Sequence, residues 1–142
     1  MRALFDVNVL IALFDPAHVN HDTSHRWLEV HAASGWATCP LTQNGCVRIL
    51  SQPKYPNAVT TFDAVQRLKR ATSQSTHEFW PDSISIADAG LVRADHLLGP
   101  RQLTDIYLLA LAVRHGGRLV TFDRAIVTDA VVDAEPKHLV VL

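Results

Sequence analysis

Four runs constrain this chain more than anything else in it: RALF at 2–5, WATC at 36–39, RLVTF at 118–122 and HLVVL at 138–142. They are too short to be helices and lack the polar alternation of a strand with one wet face, so other parts of the chain must cover both faces. A fifth short strand, HEFW at 77–80, is closed by Pro81. Helical segments separate them. VNVLIALF from Val7 reads as a buried helix ended by Asp15-Pro16. Asn20, Asp22, Thr23 or Ser24 can cap a second helix running to about Ala33, with Trp27, Leu28 and Val30 or His31 inward, before Ser34-Gly35 stops it.

Pro40 fits the first turn of a third helix through LTQNGCVRIL. A fourth, over about 60–72, places Phe62, Val65 and Leu68 on one face with Arg67 and Arg70 outward. The pattern from Ile86 to about Leu98 is helical and closes at Gly99-Pro100. Thr104 or Asp105 then caps the apolar helix IYLLALAVRH, which ends at Gly116-Gly117, and DRAIV after RLVTF reads as a further short helix. Helices alternating with strands buried on both faces predict an α/β fold of three αβα layers, with a central parallel sheet of four to five short strands.

The length, 142 residues with 48% hydrophobic, predicts a single domain over 1–142. Area scaling gives a folded surface of roughly 7,300 Å² and about 68% burial, a core that needs no disulfide or metal staple. Cys39 and Cys46 lie in no metal-knuckle spacing and read as reduced core thiols of a cytoplasmic protein. Asp6 and Asn8 interrupt the N-terminal apolar run, which is too short and polar for a signal peptide or membrane span. With 13 Lys and Arg against 14 Asp and Glu, a binder driven by a bulk positive field is excluded. Any nucleic-acid chemistry must use local patches.

In a parallel sheet, ligands bind outside the carboxyl ends of the strands where strand order reverses. Asp6 follows LF and Asp123 follows LVTF, both at such ends, while Asp105 opens the helix before the second of these strands. Each alone fits a turn or cap. If the two strands are neighbours, carboxylates about 5 Å apart repel by roughly 3 kcal/mol per pair. Sharing a proton would make an acid dyad. A divalent cation held by oxygen ligands alone would be Mg²⁺ or Mn²⁺, suited to cleaving a phosphoester.

In order and spacing, LFDVNVLIAL, PLTQNGCVRIL, LTDIYLLALA and LVTFDRAI resemble a PIN domain, specifically the VapC-type toxin of bacterial toxin–antitoxin pairs, over essentially the whole chain. The resemblance implies a Mg²⁺- or Mn²⁺-dependent endoribonuclease that cuts tRNA or rRNA and is neutralised by a cognate VapB-type antitoxin. It places metal on Asp6, Asp105 and Asp123, with Asn8 and Thr121 as polar supports. It also implies a homodimer and a hetero-oligomer with the antitoxin, using apolar surface around Ile11 to Phe14 and the helices at 40–50 and 60–72. One position departs: Gln43 stands where the family usually has Glu. Three formal charges then remain instead of four, which implies an activity-impaired enzyme, or a PIN-like module that binds antitoxin or RNA without cleavage.

The other motifs weigh less. His18, His21 and His25 would share a metal-binding face on one continuous helix, but Pro16 and the capping cluster break it, leaving surface or turn roles with RNA contact by His21 or His25 as the alternative. Arg67, Lys69 and Arg70, with Arg48 and Lys54 upstream, form either a solvated face or a phosphate-contacting rim beside the acidic centre. Trp27, Trp36 and Trp80 sit on separate elements and read as core anchors. A phosphate-accepting receiver needs a mid-chain strand-end Asp that WATCP lacks, and a HAD-type phosphatase wants Asp-x-Asp where this chain has Asp6-Val7-Asn8. Without Asp6, Asp105 and Asp123 the balance is 13 basic against 11 acidic.

Overall fold

The computed structural model describes all 142 residues. Strands β1 (Ala3–Phe5), β2 (Trp36–Thr38), β3 (His77–Phe79), β4 (Arg118–Thr121) and β5 (Leu139–Val141) form one parallel sheet in the order β3-β2-β1-β4-β5. The chain builds outward from β1 to β3 on one side, then crosses to β4 and β5 on the other. The strand order therefore reverses between β1 and β4.

Alternate residues of the central strands β1, β2 and β4 enter different cores, which is why those runs are apolar on both faces, whereas the edge strands β3 and β5 are partly exposed. Leu4, Ala37 and Leu119 pack under helix α5 (Leu103–Arg114) together with Trp80 and Val92. Ala3, Phe5, Trp36 and Val120 pack on the opposite face against α1 (Val7–Phe14), α3 (Pro40–Leu50) and α4 (Thr61–Thr72), with α2 (His21–Val30) beside them. Phe5 is gripped by two of the tryptophans, edge-on to Trp27 at 5.8 Å and stacked on Trp36 at 5.6 Å. Trp36 and Trp80 are core anchors as expected, whereas Trp27 is half-buried. Cys39 and Cys46 are free buried thiols, and burial pushes Cys46 up to about 12. The folded surface of 7648 Å² is close to the scaling value of roughly 7,300 Å². No helix is long and apolar enough to cross a membrane.

Four sequence expectations change. The 86–98 segment is not a helix: Ser85 Oγ takes the Ala87 amide, Asp88 Oδ1 takes that of Gly90 at 2.8 Å, and Val92 bridges to Val131. Side-chain caps here outcompete the helical ladder, leaving one short 3₁₀ turn at Ala94–His96. DRAIV is not helical either, because Asp123 Oδ1 takes the Ala125 amide at 2.7 Å. In α4, Phe62 and Val65 face solvent at 70% and 42% exposure, while Ala64 is buried because its small side chain lets α4 sit close to α3. Helix α2 ends at Val30, itself exposed, and the turn after it closes at Gly35 with φ +72°, a conformation that favours glycine.

The start of α1 is held by a close approach from α3: a Cβ on Gly45 would lie 2.7 Å from Val7 Cγ2. Gly45→Ala is therefore expected to lower stability by about 1–2 kcal/mol despite its better helix propensity. Adding Val7→Ala should recover part of the loss, as read by urea denaturation.

Candidate active site

Asp6 leaves the sheet while still bonded to it, its N–H donating to Val120 O at 3.0 Å. Its carboxylate caps α1 by accepting from the Val7 amide. The other oxygen accepts from Thr121 Oγ1 at 2.6 Å and Asn8 Nδ2 at 2.9 Å. Asn8 also donates to Thr121 Oγ1 at 3.1 Å and takes the Phe122 amide at 3.2 Å. Thr121 Oγ1 in turn receives the Asp123 amide at 3.0 Å. The two polar supports thus orient both strand-end aspartates. Burial nevertheless raises the Asp6 carboxyl above its usual range, outweighing the three donors, and the charge of Asp123 raises it further.

Asp105 is not the cap of α5. Gln102 occupies that position and Leu103 opens the helix, so Asp105 is its third residue, in the first turn where free N–H groups favour a carboxylate. Burial, then Asp6, then Asp123 push its carboxyl up to about 6. All three pairs of carboxylates therefore repel, and no cation of the protein lowers Asp105. The donors are oxygen only, which suits a hard divalent cation. No three His, Cys, Asp or Glu side chains close into a ready-made cage.

Gln43 bonds none of these carboxylates. Its Nε2 donates to Thr38 Oγ1 at 2.9 Å, and Thr38 Oγ1 lies 2.8 Å from His77 Nε2. Thr38 is fully buried at the end of β2, and burial holds His77 below the usual histidine value. With Thr38 accepting from the amide, its hydroxyl proton is available to Nε2 of a neutral ring that carries its own proton on Nδ1.

The PIN domain family matches residues 3–129 of the chain. Ribonuclease VapC44 of Mycobacterium tuberculosis is 49% identical over 142 residues, covering all of both chains. The chain is a PIN domain of the VapC type. Ribonuclease VapC39 of the same organism is 44% identical over 131 residues, 92% of this chain and 94% of that one. Two solved structures share the fold: VapBC2 from Rickettsia felis bound to a promoter DNA fragment (TM-score 0.56, 15% identity, 87% and 89% coverage), and the sarcin–ricin loop cleaving toxin VapC20 of M. tuberculosis (0.56, 14%, 89% and 91%).

This PIN domain gathers Asp6, Asp105, Asp123, Asn8 and Thr121 at the strand-order reversal, and draws Arg67 away from them. Arg67 does not point outward: it donates to Phe14 O at 2.6 Å, at the far end of α1 from Asp6. Eight residues of helix put that end about 12 Å away. Arg70 lines the same groove, of about 430 Å³, with Leu13, Phe14, Leu28 and Trp36. Arg48 and Lys54 are exposed, Arg48 beside Gln43 in a second groove of about 490 Å³ between α3 and α4. His21 and His25 bond the Ala12 and Leu13 carbonyls, so they tie α2 to α1. Thr38 and His77, which hold the Gln43 amide, are marked by no motif in the sequence.

A carboxyl whose value is raised by folding stabilises the fold when protonated; that contribution is complete below about 4 and is lost as pH rises through about 6. Asp105→Asn should therefore raise the melting temperature at pH 7.5 without added metal, by about 2–4 °C per kcal/mol of strain relieved, and the gain should shrink toward pH 4. At position 43, a carboxylate can only accept. Gln43→Glu should turn the Thr38 hydroxyl toward itself, make His77 Nε2 a donor and raise the His77 pKa in an NMR titration, with Arg2 and Glu78 unchanged beside it.

Proposed function

We propose that this PIN domain, acting over residues 1–142 as one unit, is a Mg²⁺- or Mn²⁺-dependent endoribonuclease toxin that cuts cellular RNA of the tRNA or rRNA class. The observation that carries this reading is the closed set of mutually repelling carboxylates, with no protein cation among them, at the sheet's ligand-binding edge. The ribonuclease names of VapC44 and VapC39 support it. Asp6, Asp105 and Asp123 would hold the metal. A bound divalent cation supplies water activation and charge neutralisation on the phosphodiester. Asp6, fixed by Thr121, Asn8 and the Val7 amide, offers an acceptor in one geometry. Asp105, raised by burial and by the two other aspartates, would be held ionised by the same cation.

The partner in this reading is a cognate VapB-type antitoxin. The apolar groove by Phe14 and the α3–α4 groove, flanked by exposed Phe62, offer surface for its helix, for a homodimer and for the hetero-oligomer of both. An RNA substrate of this class places the protein in the cytoplasm.

The uncharged amide of Gln43, engaged by Thr38, favours the narrower reading that activity is impaired, with a binding-only module as its limit. Cleavage of total cellular RNA with end mapping tests these together. Mg²⁺ or Mn²⁺ should be required, EDTA should abolish cleavage, and Asp6→Asn should lower it at least about 100-fold, the scale of losing a transition-state contact worth about 3 kcal/mol. Gln43→Glu should cleave faster. Equal rates would remove the impairment, and no cleavage by either with any metal would leave only binding.

A further inference from the structure

We infer that a cavity on the α5 side of the sheet, away from the carboxylates, is a binding site for a small apolar α-amino acid; the inference is independent of the nuclease reading above. The cavity, of about 310 Å³, has Leu91, Val113 and Val132 in its walls and Arg114, Asp133 and His138 as its polar groups. Val113 and Arg114 stand on the last turn of α5, about 12–14 Å along the helix from Asp105. Backbone hydrogen bonds fix the other walls to each other. The Val132 N–H donates to Leu91 O at 2.9 Å and the Arg93 N–H to Ala130 O at 2.8 Å, while the Arg93 guanidinium holds Asp129 O and Val131 O. The cavity is therefore pre-formed.

Three polar groups face this apolar space without a partner in the chain. His138 is only 7% exposed, and its Nδ1 accepts the Glu135 amide at 2.9 Å. A neutral ring accepting there carries its proton on Nε2, which leaves a donor with no protein acceptor on a buried residue of the cavity. Arg114 and Asp133 are exposed at the mouth, and neither is in an ion pair; the ion pairs are Arg2–Glu78, Asp95–His96 and Glu135–Lys137. Asp133 is also the one non-glycine residue with a left-handed backbone, at φ +61°. The turn thus keeps a carboxylate where the backbone favours glycine.

A cation, an anion and a neutral donor around apolar walls select among ligands. A simple carboxylate is repelled by Asp133, and a simple amine leaves Arg114 and His138 unused. A zwitterion satisfies all three. Its carboxylate accepts from Arg114 and from His138 Nε2, its ammonium donates to Asp133, and an apolar side chain covers Leu91, Val113 and Val132.

The test titrates leucine into the full chain in EDTA and follows amide chemical shifts by two-dimensional NMR together with the melting temperature. Isocaproate, which lacks the amine, and isoamylamine, which lacks the carboxylate, are titrated in parallel. Leucine, with about nine non-hydrogen atoms, should saturate at a Kd of about 0.1–1 mM. It should shift the Leu91, Val113 and Val132 amides and the His138 Nε2 resonance, and at about ten times Kd raise the melting temperature by about 3–5 °C. Both analogues should bind at least about 10-fold more weakly, as should leucine to Arg114→Gln and to Asp133→Asn, whose asparagine also tolerates the left-handed backbone. Arg48→Gln, an equal charge change on α3, should bind leucine as the wild type does. No saturable shift by about 20 mM leucine, equal binding of either analogue, or unchanged affinity in both cavity variants overturns the site, whatever the outcome of the RNA cleavage assay.

Discussion

The hydrogen bond from Thr121 to Asp6 joins residues 115 apart in the chain, and the active-site end of the fold depends on it. It closes the gap between β1 and β4, where the sheet reverses its order and the backbone ladder runs out. A parallel sheet leaves the ends of its strands to whatever side chains follow them. Here those side chains are carboxylates. By bonding Asp6 and the Asp123 amide at once, Thr121 sets the position of one charge relative to the other, and Asn8 repeats the connection through Phe122. The arrangement holds negative charge together against burial first and its own repulsion second, and both raise the Asp6 and Asp105 carboxyls.

Near-neutral net charge takes on a different meaning from this geometry. An average of 13 basic and 14 acidic residues would suit a protein with no preference for nucleic acid. The structure separates the charges: three aspartates repel one another at the strand-order reversal, and no cation of the protein is close enough to lower Asp105. A field of that kind acts over a few ångströms rather than over the whole surface. Screening at physiological salt removes most longer-range effects anyway, so local placement decides what the protein can attract.

The strands were legible to within a residue, and most plainly at β1, β2 and β4, because a run buried on both faces has a composition that little else requires. The three aspartates were legible for the same reason: position after a strand, or in the first turn of a helix, is a local property. What failed to show was set by neighbours distant in the chain. The 86–98 segment has helical periodicity, yet Asp88 and Ser85 cap local turns and Val92 pairs with Val131. Phe62 and Val65 look inward by spacing, but α4 turns its small residue Ala64 to the core. Arg67, dense with Lys69 and Arg70 in sequence, is drawn to Phe14 O at the far end of α1 from Asp6, a contact that no local pattern shows.

Gln43 shows most clearly how one missing charge is absorbed. A carboxylate at this position would demand a donor from Thr38, which would then need a proton from His77, a ring half-buried against Trp36 and held below its usual value. An amide removes that demand. It donates to Thr38, Thr38 donates to a neutral His77, and the chain of bonds closes without placing a charge at either end. A fourth carboxylate here would add repulsion to the fold and, in the nuclease reading proposed above, attraction for a cation. Stability and metal affinity would then pull in opposite directions at this one residue, with Thr38 and His77 setting which hydrogen-bond pattern the amide or the acid can adopt.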